Sequence, residues 1–370
     1  MRPLRIGVNA LYLIPGGVGG TEIYLRSLLG ALAAIDTRNR YTLYTNRETG
    51  NDLSPAAANF STEVQPVRAR FRPARLFWEQ AWLPRLGEGL DVMFNPGFTA
   101  PLGAPCRQVT VFHDLQHKRH PEFFRWYDLP AWDFMLYWSA KVSERLIAVS
   151  EATAADLVRY YRTPEDKISV VPHGVDPAFQ AIACRRAPEP LLLTVSTLHP
   201  HKNLDGLLRA FAEFHKTRPE FRLVVCGLHG FAAETLHELR DALGLRDCVE
   251  LPGWIPRADL YELFARAWAF VYPSRFEGFG MPVLEAMAAG IPTACSAIEP
   301  LTSVAAGAAL QFDPLDSSAL LQALIRVATD EPERRRLSEA GLRRARDFSW
   351  SQAAQLTLRV FGAASGHSGS

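Results

Sequence analysis

Strand-length apolar runs alternate with helix-length segments along nearly the whole chain, and they do so in two separate series. The first series places strands at 4–8, 41–44, 92–95, 108–112, 145–149 and 168–171, with helices such as 21–35 and 152–161 between them. Such alternation predicts a parallel sheet wrapped by helices. A charged, proline-containing stretch at 181–190 breaks the periodicity and reads as a linker. The second series then places strands at 191–195, 223–227, 249–253, 269–272 and 292–295. The fold class is therefore α/β, with two doubly wound, Rossmann-like domains over 1–180 and 190–345, facing one another across a central cleft where a ligand is expected. The stretch 346–363 reads as a final helix, and the residues from Gly362 onward as a frayed end.

Bulk properties narrow the function. A hydrophobic content of 48% over 370 residues is enough for two cores. With 40 basic and 39 acidic residues, the chain carries no general field for nucleic acid, so an anionic partner must be met by a local patch. Five cysteines without a C-x-x-C pair fit a reducing compartment. The amino-terminal apolar run reads as a buried strand and is too short for a signal sequence. No stretch approaches the roughly 20 apolar residues of a membrane span, so the chain reads as cytoplasmic, soluble or peripheral at the inner face of a membrane.

The densest chemistry lies in Ser274-Arg-Phe-Glu277-Gly-Phe-Gly-Met-Pro-Val-Leu-Glu285. An apolar strand leads into a turn at Gly278 and Gly280, and a helical pattern follows. The turn brings Glu277 to a helix N-terminus, whose N–H groups suit an anion. Glu285 lies about two turns further on and can reach hydroxyls of the same ligand. Two carboxylates for hydroxyls and amides for phosphate outline a nucleotide-sugar site.

This spacing resembles the E-x7-E signature of retaining glycosyltransferases of family 4, which have the two-domain GT-B fold. The resemblance gives Glu277 the donor sugar's hydroxyls and Glu285 the ribose, with amides from Gly278 through Phe279, Gly280 and Met281 to Leu284 around the diphosphate. It also implies that the last helix crosses back to the first domain. Gly19 and Gly20, in the turn before the first helix, are similar to the family's Gly-Gly-x-Glu turn facing the donor. As residues alone, that turn reads equally as structural, and His113 as a hydrogen-bonded interior histidine. The resemblance of Phe-His113-Asp-Leu to a sugar-pocket segment instead puts His113 near the anomeric carbon. Lys202 matches the family's phosphate-binding lysine, while Thr197 stands where an arginine is common and offers only a hydroxyl. Trp254, near the expected base site, reads as a hydrophobic staple.

No Asp-x-Asp occurs, and the histidines lack zinc-ligand spacing, so no metal or cofactor is expected beyond the nucleotide-diphosphate sugar as co-substrate. Residues 68–85 hold five arginines against one glutamate, with aromatics interleaved. Their apolar positions 77, 78, 81 and 82 suit one packed helix stripe, and the alternative is a patch for an acceptor or an anionic membrane. The resemblance implies a metal-independent, retaining transfer of a sugar, with mannose a guess, to a glycan or lipid-linked acceptor. A nucleotide-sugar epimerase or hydrolase, or a non-catalytic partner subunit, is the alternative.

Overall fold

The computed structural model describes residues 2–17, 19–228, 230 and 232–366. Two compact units emerge, one built from the chain up to Gly174 together with the stretch from Trp350, the other from Val175–Ser349.

The first unit is centred on a seven-stranded sheet. Its strands are β1 (Arg5–Asn9), β2 (Arg40–Thr45), β3 (Phe60–Val64), β4 (Val92–Asn95), β5 (Arg107–Phe112), β6 (Arg145–Ala148) and β7 (Ile168–Val170). All neighbours pair in parallel in the order β3-β2-β1-β4-β5-β6-β7. Ile6 sits level with Tyr41 on one side and Val92 on the other, so β1 is central. The chain thus winds one way from β1 to β3 and the other way from β4 onward, opening a crevice beyond the carboxyl ends of β1 and β4.

The second unit repeats this plan with six parallel strands: β8 (Leu191–Val195), β9 (Arg222–Cys226), β10 (Val249–Gly253), β11 (Ala269–Tyr272), β12 (Thr293–Ser296) and β13 (Leu310–Phe312). Their order is β10-β9-β8-β11-β12-β13, which puts the equivalent crevice beyond β8 and β11. Helix Leu204–Thr217 buries Leu207, Leu208, Phe211 and Phe214 in the core of this unit. Both doubly wound units of the sequence reading are thus present.

Two strands escape the sequence pattern. β3 and β13 are edge strands that are only partly buried, so neither needs the continuous apolar run that marks a central strand. The 181–190 stretch is also not a loose linker. Helix Pro177–Ala183 already belongs to the second unit, and Arg186 donates to the carbonyls of Gly290 and Ala267. Glu189 accepts from Nε and Nη2 of Arg266 at 3.0 and 2.9 Å. The charges that suggested a solvated linker fasten the segment to its own unit.

Helix Trp350–Ala364 packs in the first unit, with Phe361 against Phe94 at 5.2 Å and Trp350 against Tyr24 at 6.0 Å between ring centres. Among the described residues no helix is long and apolar enough to cross a membrane.

Candidate active site

In the second unit the turns leaving β8 and β11 meet at the crevice. The first is a 3-10 turn, Pro200–Lys202, closed by Asn203 in the left-handed region at φ 54°. The second turn is stitched to it: the Arg275 N–H donates to the His201 carbonyl at 2.7 Å, and the Arg275 guanidinium donates to Asn203 Oδ1 at 2.6 Å. The Ser274 hydroxyl donates to the Phe276 carbonyl at 2.8 Å. These bonds bring Lys202 Nζ to 2.6 Å from Glu277 Oε1, with both side chains largely buried, and Lys202 also donates to the Tyr272 hydroxyl at 3.3 Å. Lys202 and Glu277, expected to serve different parts of one donor, are thus a single ion pair.

Gly280 opens helix Met281–Ala288 at φ 103°. A Cβ there would lie 2.3 Å from Leu301 Cδ2, so the turn demands glycine for both conformation and space. Of the residues expected around a diphosphate, Leu284 needs correction. Its N–H already donates to the Gly280 carbonyl at 3.3 Å and its side chain is buried in the core. The Val283 N–H donates to the same carbonyl at 3.1 Å and Pro282 has no N–H, so the amides that serve an anion must come from Gly278 to Met281. Phe279 is buried, while Gly278 and Met281 are half-buried, and Thr197 is half-buried in the loop after β8.

Glu285 is buried on the same helix. Burial pushes its carboxyl up to about 7, against the pull of the Arg257 guanidinium at 3.9 Å. Asp176 adds to the upward push. Arg257 is shared: it donates to Asp176 Oδ2 at 2.9 Å and to the Tyr261 hydroxyl at 2.9 Å, and Tyr261 donates to the same Asp176 oxygen at 2.6 Å. Sequence reading missed Arg257, Tyr261 and Tyr272. Only Tyr272 carried a local signal, as a polar residue ending a buried strand.

In the first unit Gly19 caps helix Gly20–Ile35 with φ 60°, and Gly20 is exposed at its start. Glu22 holds this turn, accepting the Gly16 N–H at 2.7 Å and pairing with Arg26 at 2.9 Å. His113 ends β5 and is buried, with Nε2 2.8 Å from the Pro96 carbonyl. A carbonyl partner fixes the proton on Nε2, and burial lowers the ring's pKa to about 4, so the imidazole is neutral at neutral pH.

Two expectations fail on exposure. Trp254 is 58% exposed and staples nothing, because it follows the edge strand β10. In the 68–85 segment, Trp78 packs against the Leu11 and Leu83 cluster, but Phe77 and Trp82 point outward and Arg75 points inward. Helix Arg72–Ala81 thus turns residues 75 and 79 to the interior instead of a 77–82 stripe.

Two doubly wound units, with a lysine–glutamate pair and a second buried glutamate at one crevice, define the class: a glycosyltransferase with the GT-B fold. The sequence matches the description "Glycosyltransferase Family 4" over residues 18–179 and "Glycosyl transferases group 1" over residues 179–344. The chain belongs to this bacterial family 4-like group of glycosyltransferases. It is similar to O-antigen chain mannosyltransferase B of Escherichia coli, with 29% identity over 296 residues, 76% of each chain. Among solved structures it resembles sucrose-phosphate synthase from Thermosynechococcus elongatus, at TM-score 0.78 and 21% identity over 97% of this chain and all of that one. Anabaena HepE in complex with UDP-glucose superposes with TM-score 0.75 and 18% identity, over 97% and 100% of the two chains.

Proposed function

We propose that the protein is a retaining, metal-independent hexosyltransferase that moves a sugar, mannose by analogy with the O-antigen enzyme, from a nucleoside-diphosphate donor to a glycan or lipid-linked acceptor. The observation that carries the reading is the Lys202–Glu277 pair at the switch point of the second unit. An ammonium and the first helical amides stabilise a departing diphosphate without a metal ion. Glu277, held by Lys202, presents its carboxyl oxygens to sugar hydroxyls, and Glu285 takes the ribose. The donor diphosphate accepts the acceptor's proton as the new bond forms on the face that the leaving group vacates. Neutral His113, with its Nδ1 lone pair and main-chain oxygen, suits a positive anomeric centre where an imidazolium would repel it. In this reading the first unit takes the acceptor, and the enzyme works in the cytoplasm at the inner face of the membrane.

Nuclear magnetic resonance of the first-formed glycoside, made from a panel of donors, tests the proposal. The expected product keeps the donor's anomeric configuration and forms equally well in excess chelator. Inversion, or turnover lost to chelator and restored by magnesium or manganese, would refute the mechanism. Free sugar formed in place of a glycoside would indicate the hydrolase.

A further inference from the structure

The charges of helix Arg72–Ala81 do not balance. Arg75 is only 8% exposed, and its Nε is buried without an acceptor. Among the described residues no carboxylate comes within ion-pair distance of it. Glu79, on the next turn, is buried and offsets part of the Arg75 charge through space from beyond ion-pair distance, while its own hydrogen bonds go to Thr99, Asn9 and Gln80. Arg72, one turn ahead, brings a second guanidinium into the field of Arg75 and lies over the Trp132 ring at 4.6 Å. A buried guanidinium with no acceptor on Nε and no carboxylate at ion-pair distance is left incompletely satisfied unless an anion completes it.

The place is as informative as the charge. Asn9 ends β1 and Thr99 follows β4, so the inward face of this helix lies over the crevice of the first sheet. Gln80 confirms the position by donating to the Ala100 carbonyl at 3.0 Å and accepting the Leu102 N–H at 2.9 Å. The ring of Tyr12, from the turn after β1, packs where a Cβ on Gly97 would lie, and its hydroxyl sits in the fields of Glu22 and Arg75. Open doubly wound sheets bind ligands at this point.

We propose that Arg75, assisted by Arg72 and Tyr12, forms an oxyanion site in the first unit that takes a phosphate or diphosphate group carried by the acceptor. Fork-shaped guanidinium donors match such oxygens, and a buried site favours a ligand that brings its own double charge. The inference rests on the reading that the first unit receives the acceptor.

The test is binding, so its failure is separable from failure of the transfer reading, which rests on the product's configuration. With the donor site filled by saturating nucleoside diphosphate, the protein is titrated with inorganic pyrophosphate, a short-chain prenyl diphosphate and the matching prenyl alcohol. Wild type should bind both diphosphates and not the alcohol. Arg75→Met should weaken diphosphate binding at least tenfold while changing the ligand-free melting temperature little, because relief of the unsatisfied buried Nε offsets the positive charge that Glu79 loses. Exposed Arg72→Gln, which does not threaten folding, should weaken it severalfold. Tighter binding of the prenyl compound than of pyrophosphate would assign the diphosphate to a lipid, and equal binding to the oxyanion alone. The proposal is overturned if wild type binds neither diphosphate, if Arg72→Gln binds like wild type, or if Arg75→Met melts far lower and binds normally, which would make Arg75 a structural partner of Glu79.

Discussion

Glu285 should make donor binding depend on pH in a direction opposite to an ordinary surface carboxylate's indifference near neutrality. Burial raises it from 4.5 to about 7 in the ligand-free protein, with Arg257 at 3.9 Å offsetting only part of the loss of water. Such a rise corresponds to about 3 kcal/mol of penalty on the ionised form. The sign follows from proton binding: across the window from 4.5 to about 7 the folded state holds more protons than the unfolded one, so stability without ligand falls as pH rises through it. A ribose diol donates to a carboxylate, so binding selects the ionised form and releases a proton. Between about pH 6 and about pH 8 the ionised fraction rises about tenfold, and nucleoside-diphosphate affinity should rise with it. Isothermal titration in buffers of different ionisation heat reads both the affinity and the proton count. The ligand's own phosphate titrates equally with wild type and Glu285→Gln, so the difference between them isolates this carboxyl. A difference that stays flat across that range, or net proton uptake by wild type relative to Glu285→Gln, would refute the reasoning.

Lys202→Ala strands Glu277 in a buried site and should lower the stability of the second unit by about 3–5 kcal/mol in chemical denaturation. Adding Glu277→Gln should recover part of that loss, whereas additive losses would mean that the pair is not coupled. Glu277→Gln alone should lower kcat while nucleoside-diphosphate affinity holds, since the sugar hydroxyls it aligns matter most as the glycosidic bond breaks. Gly280→Ala meets φ 103° and a contact of 2.3 Å to Leu301, and should cost about 1–3 kcal/mol together with donor affinity, read by thermal melting and titration.

Periodicity and turn chemistry are local, and they were legible. The central strands β4, β5, β8 and β11 are short apolar runs in the sequence because both their faces are covered. Glu277, Gly280 and Glu285 lie on one strand–turn–helix unit, so residue order alone sets their mutual placement. The edge strands β3 and β13 were not legible, since Phe-Ser-Thr-Glu-Val and Leu-Gln-Phe carry no continuous apolar run. What no local pattern carries is which distant groups share a buried volume. Lys202 and Glu277 are 75 residues apart and become a pair only because the sheet sets β11 beside β8. Arg257 and Asp176 reach Glu285 across the fold too, and burial, aided by Asp176 and opposed by Arg257, moves its titration to about 7. Arg75 and Phe77 are two residues apart, and the packing of their helix over β1 and β4 hides the arginine and exposes the phenylalanine. Sequence determined the two sheets and the chemical types gathered at their switch points. Tertiary structure decided charge state and pairing, because desolvation and Coulomb energy depend on distance through space, not on separation along the chain.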